Sequence, residues 1–272
     1  MLVDSHCHLD FPDFAEELDD VVARAENAGV RRMVTICTRV RKFEQIHAVA
    51  QRFENVYCSV GTHPLNTGEE LDITTQMIVD HAQNEKVVAI GEAGLDYFYD
   101  KDPREQQQQV FRTNIAAARE TGLPLVIHAR AADDDMIAIL QDEMKKGVFC
   151  AILHCFSSTQ KLANVGVELG FYVSFSGILT FKNSQEIRDI ASTVPHERLL
   201  VETDAPYLAP PPFRGKRNEP SYTVHTAKVL AETLGKSEEE VWQQTSQNFF
   251  TLFSKMPKPT AEEFLKPPHL EV

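Results

Sequence analysis

Asp4-Ser5-His6-Cys7-His8 is the stretch from which the fold can be read. It ends a short apolar-leading run, Met1-Leu2-Val3, with the character of a β-strand. Side chains on a strand alternate faces, so His6 and His8 point the same way, about 6–7 Å apart along the backbone. Two imidazoles so placed can hold a metal ion from one side. They make half a site, and the fold follows from where the other half falls.

Seven further apolar, β-rich runs follow: Arg32–Cys37, Val56–Gly61, Lys86–Gly91, Pro124–His128, Phe149–His154, Phe171–Phe175 and Leu199–Thr203. Segments with helical period lie between them. Phe14–Ala28 puts Leu18, Val21, Val22 and Ala25 on one face and ends at Gly29. Arg104–Glu120 does the same with Val110, Ile115 and Ala118, and Gly122 follows its last turn. Gly170 and Gly235 close other helices in this way. Strands alternating with helices imply parallel pairing, and strands apolar on both faces imply a sheet covered on both sides.

Eight such units fit a (β/α)8 TIM barrel or an open, doubly wound sheet. The polar residues separate the two. His6 and His8 end the first strand, His63 follows the third, Glu92 the fourth, His128 ends the fifth, His154 the sixth, and Asp204 follows the eighth. In a barrel all of these emerge at the C-terminal rim and converge. An open sheet would spread them along a wide edge. The expected architecture is one α/β barrel domain over residues 1–256, with a proline-containing tail over 257–272.

Composition is ordinary for a soluble globular protein. The chain has 272 residues, 43% hydrophobic and 25% charged, with a formal net charge of −13. That charge argues against a protein that coats nucleic acid by neutralising phosphates, though a local metallic pocket could still draw in one phosphate. No apolar run approaches the roughly 20 residues needed to cross a bilayer. Cys7, Cys37, Cys58, Cys150 and Cys155 are odd in number and form no Cys-x-x-Cys pair. Reduced thiols, and a first strand with no room for a signal peptide before it, make the cytoplasm the expected compartment. Gln106–Gln109 reads as a solvated helix face, and Asp133-Asp134-Asp135 as a helix start whose carboxylates complement the dipole.

The metal-type residues are His6, His8, Glu92, His128, His154 and Asp204. Four imidazoles and two carboxylates exceed the needs of one four- or five-coordinate ion. They suit two ions bridged by a carboxylate, an arrangement that clamps the attacking and leaving oxygens of a displacement. Glu92, in Gly91-Glu92-Ala93-Gly94-Leu95-Asp96, is the natural bridge. Asp204, in Glu202-Thr203-Asp204-Ala205-Pro206, can ligate and also accept a proton from the attacking water.

These segments resemble the TatD family of metal-dependent deoxyribonucleases, within the amidohydrolase-like barrels. The likeness is carried by Val3–Asp10, Gly61-Thr62-His63-Pro64, Gly91–Tyr97, Ile127-His128-Ala129-Arg130, His154-Cys155-Phe156-Ser157, Glu202–Leu208 and Arg214–Pro220, and spans residues 1 to about 253. It implies one metal on His6, His8 and Asp204, another on His128 and His154, and Glu92 between them. It further implies His63 beside the scissile phosphate, with Arg214 and Arg130 as further phosphate contacts. Two positions depart from the family pattern. Leu65 stands where a second histidine usually follows Gly-x-His-Pro, and Ala129 where a small polar residue is common.

The resemblance implies a 3′–5′ exodeoxyribonuclease that acts on single-stranded or frayed DNA ends with two divalent ions, Mg2+, Mn2+ or Zn2+. Asp204, His63 and Glu92 are its expected catalytic residues. DNA is the expected partner, with no membrane and no obligate protein partner. Tyr97 and Phe98 are candidates to stack on a base. A carboxylic ester or amide hydrolase, such as an aminoacyl-tRNA deacylase, is the alternative. A non-catalytic binding protein is the third reading.

Overall fold

The protein is described by a computed structural model covering residues 1–99 and 101–265. Eight parallel strands run in sequence order: β1 (Leu2–Cys7), β2 (Val30–Thr35), β3 (Val56–Val60), β4 (Val87–Asp96), β5 (Leu125–Arg130), β6 (Ala151–Leu153), β7 (Tyr172–Phe175) and β8 (Leu199–Val201). Around them lie α1 (Leu18–Asn27), α2 (Phe43–Arg52), α3 (Thr75–Ala82), α4 (Arg104–Thr121), α5 (Asp133–Lys146), α6 (Gln160–Glu168), α7 (Gln185–Thr193) and α8 (Thr223–Leu234), followed by α9 (Glu238–Leu252) and α10 (Ala261–Leu265). The ring closes between the last and first strands at the rim. Asp204 N donates to His6 O at 2.9 Å and His8 N to Ala205 O at 2.8 Å. The sheet is a nearly closed barrel, and the open alternative is excluded.

Successive side chains divide between two apolar layers. Leu2, Met33, Ile127, Leu153, Val173 and Leu199 pack outward under the helices. Val3, Val34, Val126, Ile152, Tyr172 and Leu200 pack inward. Burial of this kind is the main driving force for folding, at ~25 cal/mol per Å² of apolar surface. The N-terminal mouth is filled from below by Phe249, Phe250 and Leu252 of α9, with Phe253 and Met256 behind them. Phe249 and Phe253 stack there with ring centres 4.4 Å apart.

Strict alternation breaks where the histidines stand. Val3 lies in the inner layer and Cys7 in the outer one, although residues four apart on a regular strand share a face. The β1–β2 register shifts between Asp4 and Cys7. A bulge of this sort re-aims side chains beside a site. A second shift, between Ile90 and Ala93, surrounds Glu92. β4 is therefore longer than the run Lys86–Gly91 suggested, and Glu92 lies within it. Two glycine contacts allow this crowding. A Cβ on Gly61 would meet Gly91 Cα at 2.4 Å, and one on Gly94 would meet His128 O at 1.9 Å.

The helix expected over Phe14–Ala28 begins four residues later. Pro12–Phe14 forms a separate 3-10 turn, and Glu17 at the helix entry has φ −134°, outside the helical region. Of the expected tail, residues 266–272 lie outside the described residues. In the described part, Phe264 O accepts from the Met1 ammonium at 3.1 Å.

Candidate metal centre

Each strand end delivers a side chain to one point above the barrel core. Glu92 sits in the middle. Its Oε1 lies 2.7 Å from His154 Nε2, 2.9 Å from His128 Nδ1 and 3.4 Å from His63 Nε2. Its Oε2 lies 3.4 Å from His6 Nε2 and 4.0 Å from His8 Nε2. Asp204 Oδ1 is 3.5 Å from both His6 Nε2 and His8 Nε2. The carboxylate of Glu92 thus has a different group of imidazoles on each oxygen, the geometry expected of a bridge. Side-chain exposure falls from 18% at His128, 15% at Asp204 and 13% at His63 to 4% at His154 and 0% at His6. A molecule entering the mouth meets the first three before the others.

The outward nitrogens indicate which way the lone pairs face. His8 Nδ1 lies 3.2 Å from Ile36 O, His154 Nδ1 3.2 Å from Glu202 Oε1, and His128 Nε2 3.0 Å from Asp96 Oδ2. Each of these partners is an acceptor, so each of those nitrogens carries a proton. In the neutral ring the other nitrogen then presents a lone pair to the centre, and a carboxylate behind an imidazole strengthens it as a ligand. His6 has no partner on Nδ1. Its ring is held by stacking on His154, 3.9 Å between centres. The donors that converge here fit divalent cations.

His63 differs. Its Nδ1 accepts from Leu65 N at 3.1 Å, so the proton of the neutral ring is on Nε2 and faces the centre. Although His63, Glu92 and His128 could together reach an ion, this tautomer makes His63 a donor. The backbone N–H of residue 65 orients the ring, so a leucine there leaves the arrangement intact. The segment is tied down further by His63 N to Thr38 O and by Thr62 to Glu70, which also accepts from Val40 N and Arg41 N.

Charge coupling is strong in this enclosed space. Burial pushes the Glu92 carboxyl up, but the charges of His154, His63 and His6 and the His128 hydrogen bond outweigh it and hold it well below its ordinary value. Burial likewise lowers His154, yet Glu92 and Glu202 carry it well above the ordinary imidazole value. His6 is lowered by burial first and by cationic His154 stacked on it second. Burial opposes the Asp204 carboxylate, while the His8 hydrogen bond and the charges of His6 and His8 keep it ionised. A cation that binds here exchanges with these protons.

The backbone is strained at the same rim. Ala131, Cys155, Asp204 and Leu208 all have positive φ, from 43° to 61°, and all follow the C-terminal ends of strands. Such residues cluster at functional sites, where surrounding structure over-determines them.

Comparison with known proteins identifies the family. The chain matches the family described as TatD related DNase over residues 3–254. It belongs to the TatD family. It is 41% identical over 256 residues to the uncharacterized metal-dependent hydrolase YcfH of Escherichia coli (strain K12), covering 93% of this chain and 95% of that one. It is 32% identical over 257 residues to the 3′-5′ ssDNA/RNA exonuclease TatD of Escherichia fergusonii, covering 93% and 98%. The crystal structure of the TatD homologue YJJV from Escherichia coli K12 superposes with a TM-score of 0.83 at 29% identity, covering 94% and 98%. This TatD chain is therefore a metal-dependent hydrolase. Among its described residues, no helix is long and apolar enough to cross a membrane.

The structure brings His6, His8, His63, Glu92, His128, His154 and Asp204 together. The two arginines pack on aromatic rings. Arg214 is exposed and packs over the Phe181 ring at 3.7 Å, with Nη1 donating to Ala209 O. Arg130 lies over Phe98 and Tyr99. Tyr97 is half-buried, unlike the exposed Phe98. Its hydroxyl donates to Asp135, it accepts from Gln108, and Arg104 covers its face.

Two acidic residues inside the quoted motifs went without a role in the sequence reading. Asp96 and Glu202 are buried behind His128 and His154. Glu202 also accepts from Cys155 N at 2.7 Å. The usable signal was position, since each stands at the end of a strand beside a ligand-type residue. The glutamine run is also misread from sequence. Gln107 is fully buried and clamps Asp96 through N–H and C=O at 2.8 and 3.1 Å, because the loop after β4 turns back across α4. Asp133, Asp134 and Asp135 do stand in the first turn of α5. They bond outward to Ser158 and Thr159, to Lys161 and to Tyr97 instead of capping the helix.

Glu202→Gln should keep the fold and weaken metal binding by about tenfold, the usual cost of losing a carboxylate behind a ligating histidine. Calorimetric titration of the chelator-treated variant with Mn2+ measures this. Unchanged affinity would remove Glu202 from the centre.

Proposed function

We propose that this hydrolase cleaves phosphodiesters at DNA strand ends, as a 3′–5′ exodeoxyribonuclease with a pair of divalent ions. The observation that carries the reading is the placing of an ionised Asp204 and a proton-bearing His63 Nε2 at the mouth, with Glu92 between them. The Escherichia fergusonii relative, a 3′-5′ ssDNA/RNA exonuclease with which this chain aligns over nearly its whole length, supports the polarity and the single-stranded substrate.

In this reading His6, His8 and Asp204 would hold one ion and His128 and His154 the other, with Glu92 as the carboxylate available to both. Such ions would polarise the phosphoryl oxygens and acidify the attacking water. Nitrogen-rich ligation favours Zn2+ or Mn2+ over Mg2+, which prefers oxygen. Asp204 accepts the proton of the attacking water. His63 Nε2–H donates to a non-bridging phosphoryl oxygen, where charge builds during displacement. Asp96 and Glu202 keep the imidazoles aimed inward. Few groups outside the centre would contact phosphate, as suits a chain with a net charge of −13.

The test is an oligonucleotide labelled at the 5′ or the 3′ end, incubated with Mg2+, Mn2+ or Zn2+ and with chelator. The expected result is a ladder shortening from the 3′ end, only with metal. No cleavage under any metal, together with hydrolysis of an aminoacyl ester, would replace the phosphodiester by an acyl substrate.

A further inference from the structure

Three large aromatics are exposed around the mouth. Phe98 and Tyr99 lie in the segment after β4 and Tyr207 in that after β8, with 61%, 58% and 54% of their surface open. Phe98 and Tyr99 meet edge to face, with ring centres 5.1 Å apart. The Arg130 guanidinium lies 4.1 Å from the Phe98 ring centre and 4.9 Å from that of Tyr99. Among the described residues it packs on these rings and pairs with no carboxylate.

One side chain ties this group to the metal centre. Asp96 Oδ1 accepts from Phe98 N at 3.0 Å and Tyr99 N at 3.1 Å, while its Oδ2 faces His128 Nε2 at 3.0 Å. Arg130 stands two residues beyond His128 on β5, on the same face and about 6–7 Å farther out. The aromatic pair is thus held in register with the imidazole by a buried carboxylate, and the arginine by the strand. On the other side, Tyr207 stands edge-on to His8 and Phe11. Its phenol is raised by burial first, then by the charges of Asp204, Asp13 and Tyr99.

We propose that Phe98, Tyr99 and Arg130 form a shelf on which a nucleobase at the strand end stacks, so that its phosphate lies at the centre. The inference rests on the phosphodiesterase reading. Every base has a π-face, so a shelf of rings and guanidinium binds without regard to sequence. A base paired within a duplex offers that face to its neighbours, so the shelf selects single-stranded or frayed ends. Stacking also supplies grip that an acidic surface does not provide through phosphate contacts.

The test compares a single-stranded oligonucleotide with the same strand carrying abasic residues at its 3′ end, both with Mn2+. The wild-type chain should show kcat/KM on the order of ten- to a hundredfold higher on the intact strand, the usual scale for one stacked base. Phe98→Ala/Tyr99→Ala should lose that preference, and Phe98→Trp should retain it. Because the ratio is internal to each variant, a change in the amount of folded protein does not alter it. A double variant that keeps the wild-type preference overturns the shelf. A wild-type chain that shortens neither strand overturns the phosphodiesterase reading itself, and the shelf with it.

Discussion

Asp204→Asn should lower hydrolysis by on the order of a thousandfold while leaving the barrel folded. Asparagine has nearly the same shape, and the backbone bond from residue 204 to His6 O, which helps close the barrel, does not involve the side chain. The carboxylate is another matter. It stands 3.5 Å from the inward nitrogens of both His6 and His8 and is one of the more open groups of the centre. It is assigned both a place on the metal and the proton of the attacking water. Loss of a general base alone costs ~10²–10⁴ in rate. The measurement is single-turnover cleavage with Mn2+ raised until the rate no longer changes, which separates weak metal binding from slow chemistry. A variant within tenfold of wild type at saturating metal would show that the proton goes elsewhere.

Glu92→Gln should have a wider effect. Every inward imidazole of the centre lies within 4.0 Å of this carboxylate. A neutral amide has one acceptor oxygen and cannot bridge two cations with equal strength. Metal content after dialysis should drop to at most one ion per chain, and hydrolysis should disappear. The chelator-treated protein should also lose stability, because His154 and His128, held as cations in part by this carboxylate, keep only Glu202 and Asp96 as counter-charges. Elemental analysis and a denaturant midpoint read the two effects separately. A variant that retains a pair of ions at wild-type affinity would end the bridging role of Glu92.

The sequence revealed the convergence of ligands more readily than the machinery that aims them. His6 and His8 share a face as strand alternation requires, and the repeated strand-end position of His63, His128 and His154 pointed to a ring. What alternation could not reveal was the bulge between Asp4 and Cys7, since a strand buried on both faces has no alternation for a one-residue shift to break. The extent of β4 was hidden for a similar reason. The apolar run stops at Gly91, whereas Gly91 and Gly94 let the strand continue close against its neighbours. Asp96 and Glu202 act through histidines that are distant in sequence, and only the folded chain pairs them. Arg130 and Arg214 have packing partners that their charge alone does not announce. In the folded protein both guanidiniums lie on aromatic rings.

The seal beneath the barrel has a consequence for how such a chain can change over generations. Phe249, Phe250, Phe253 and Met256 pack with Val3, Val34, Val126 and Leu200, and none of these belongs to the histidine cluster at the other end. Substitutions that loosen or tighten this plug alter how long a molecule survives, and leave untouched which bond it cuts. Rim loops, in turn, can drift toward new substrates while the plug absorbs the thermodynamic cost of their drift. The two ends of the cylinder can therefore evolve at different rates, and a laboratory search for a hardier enzyme has most freedom at the end where no chemistry occurs.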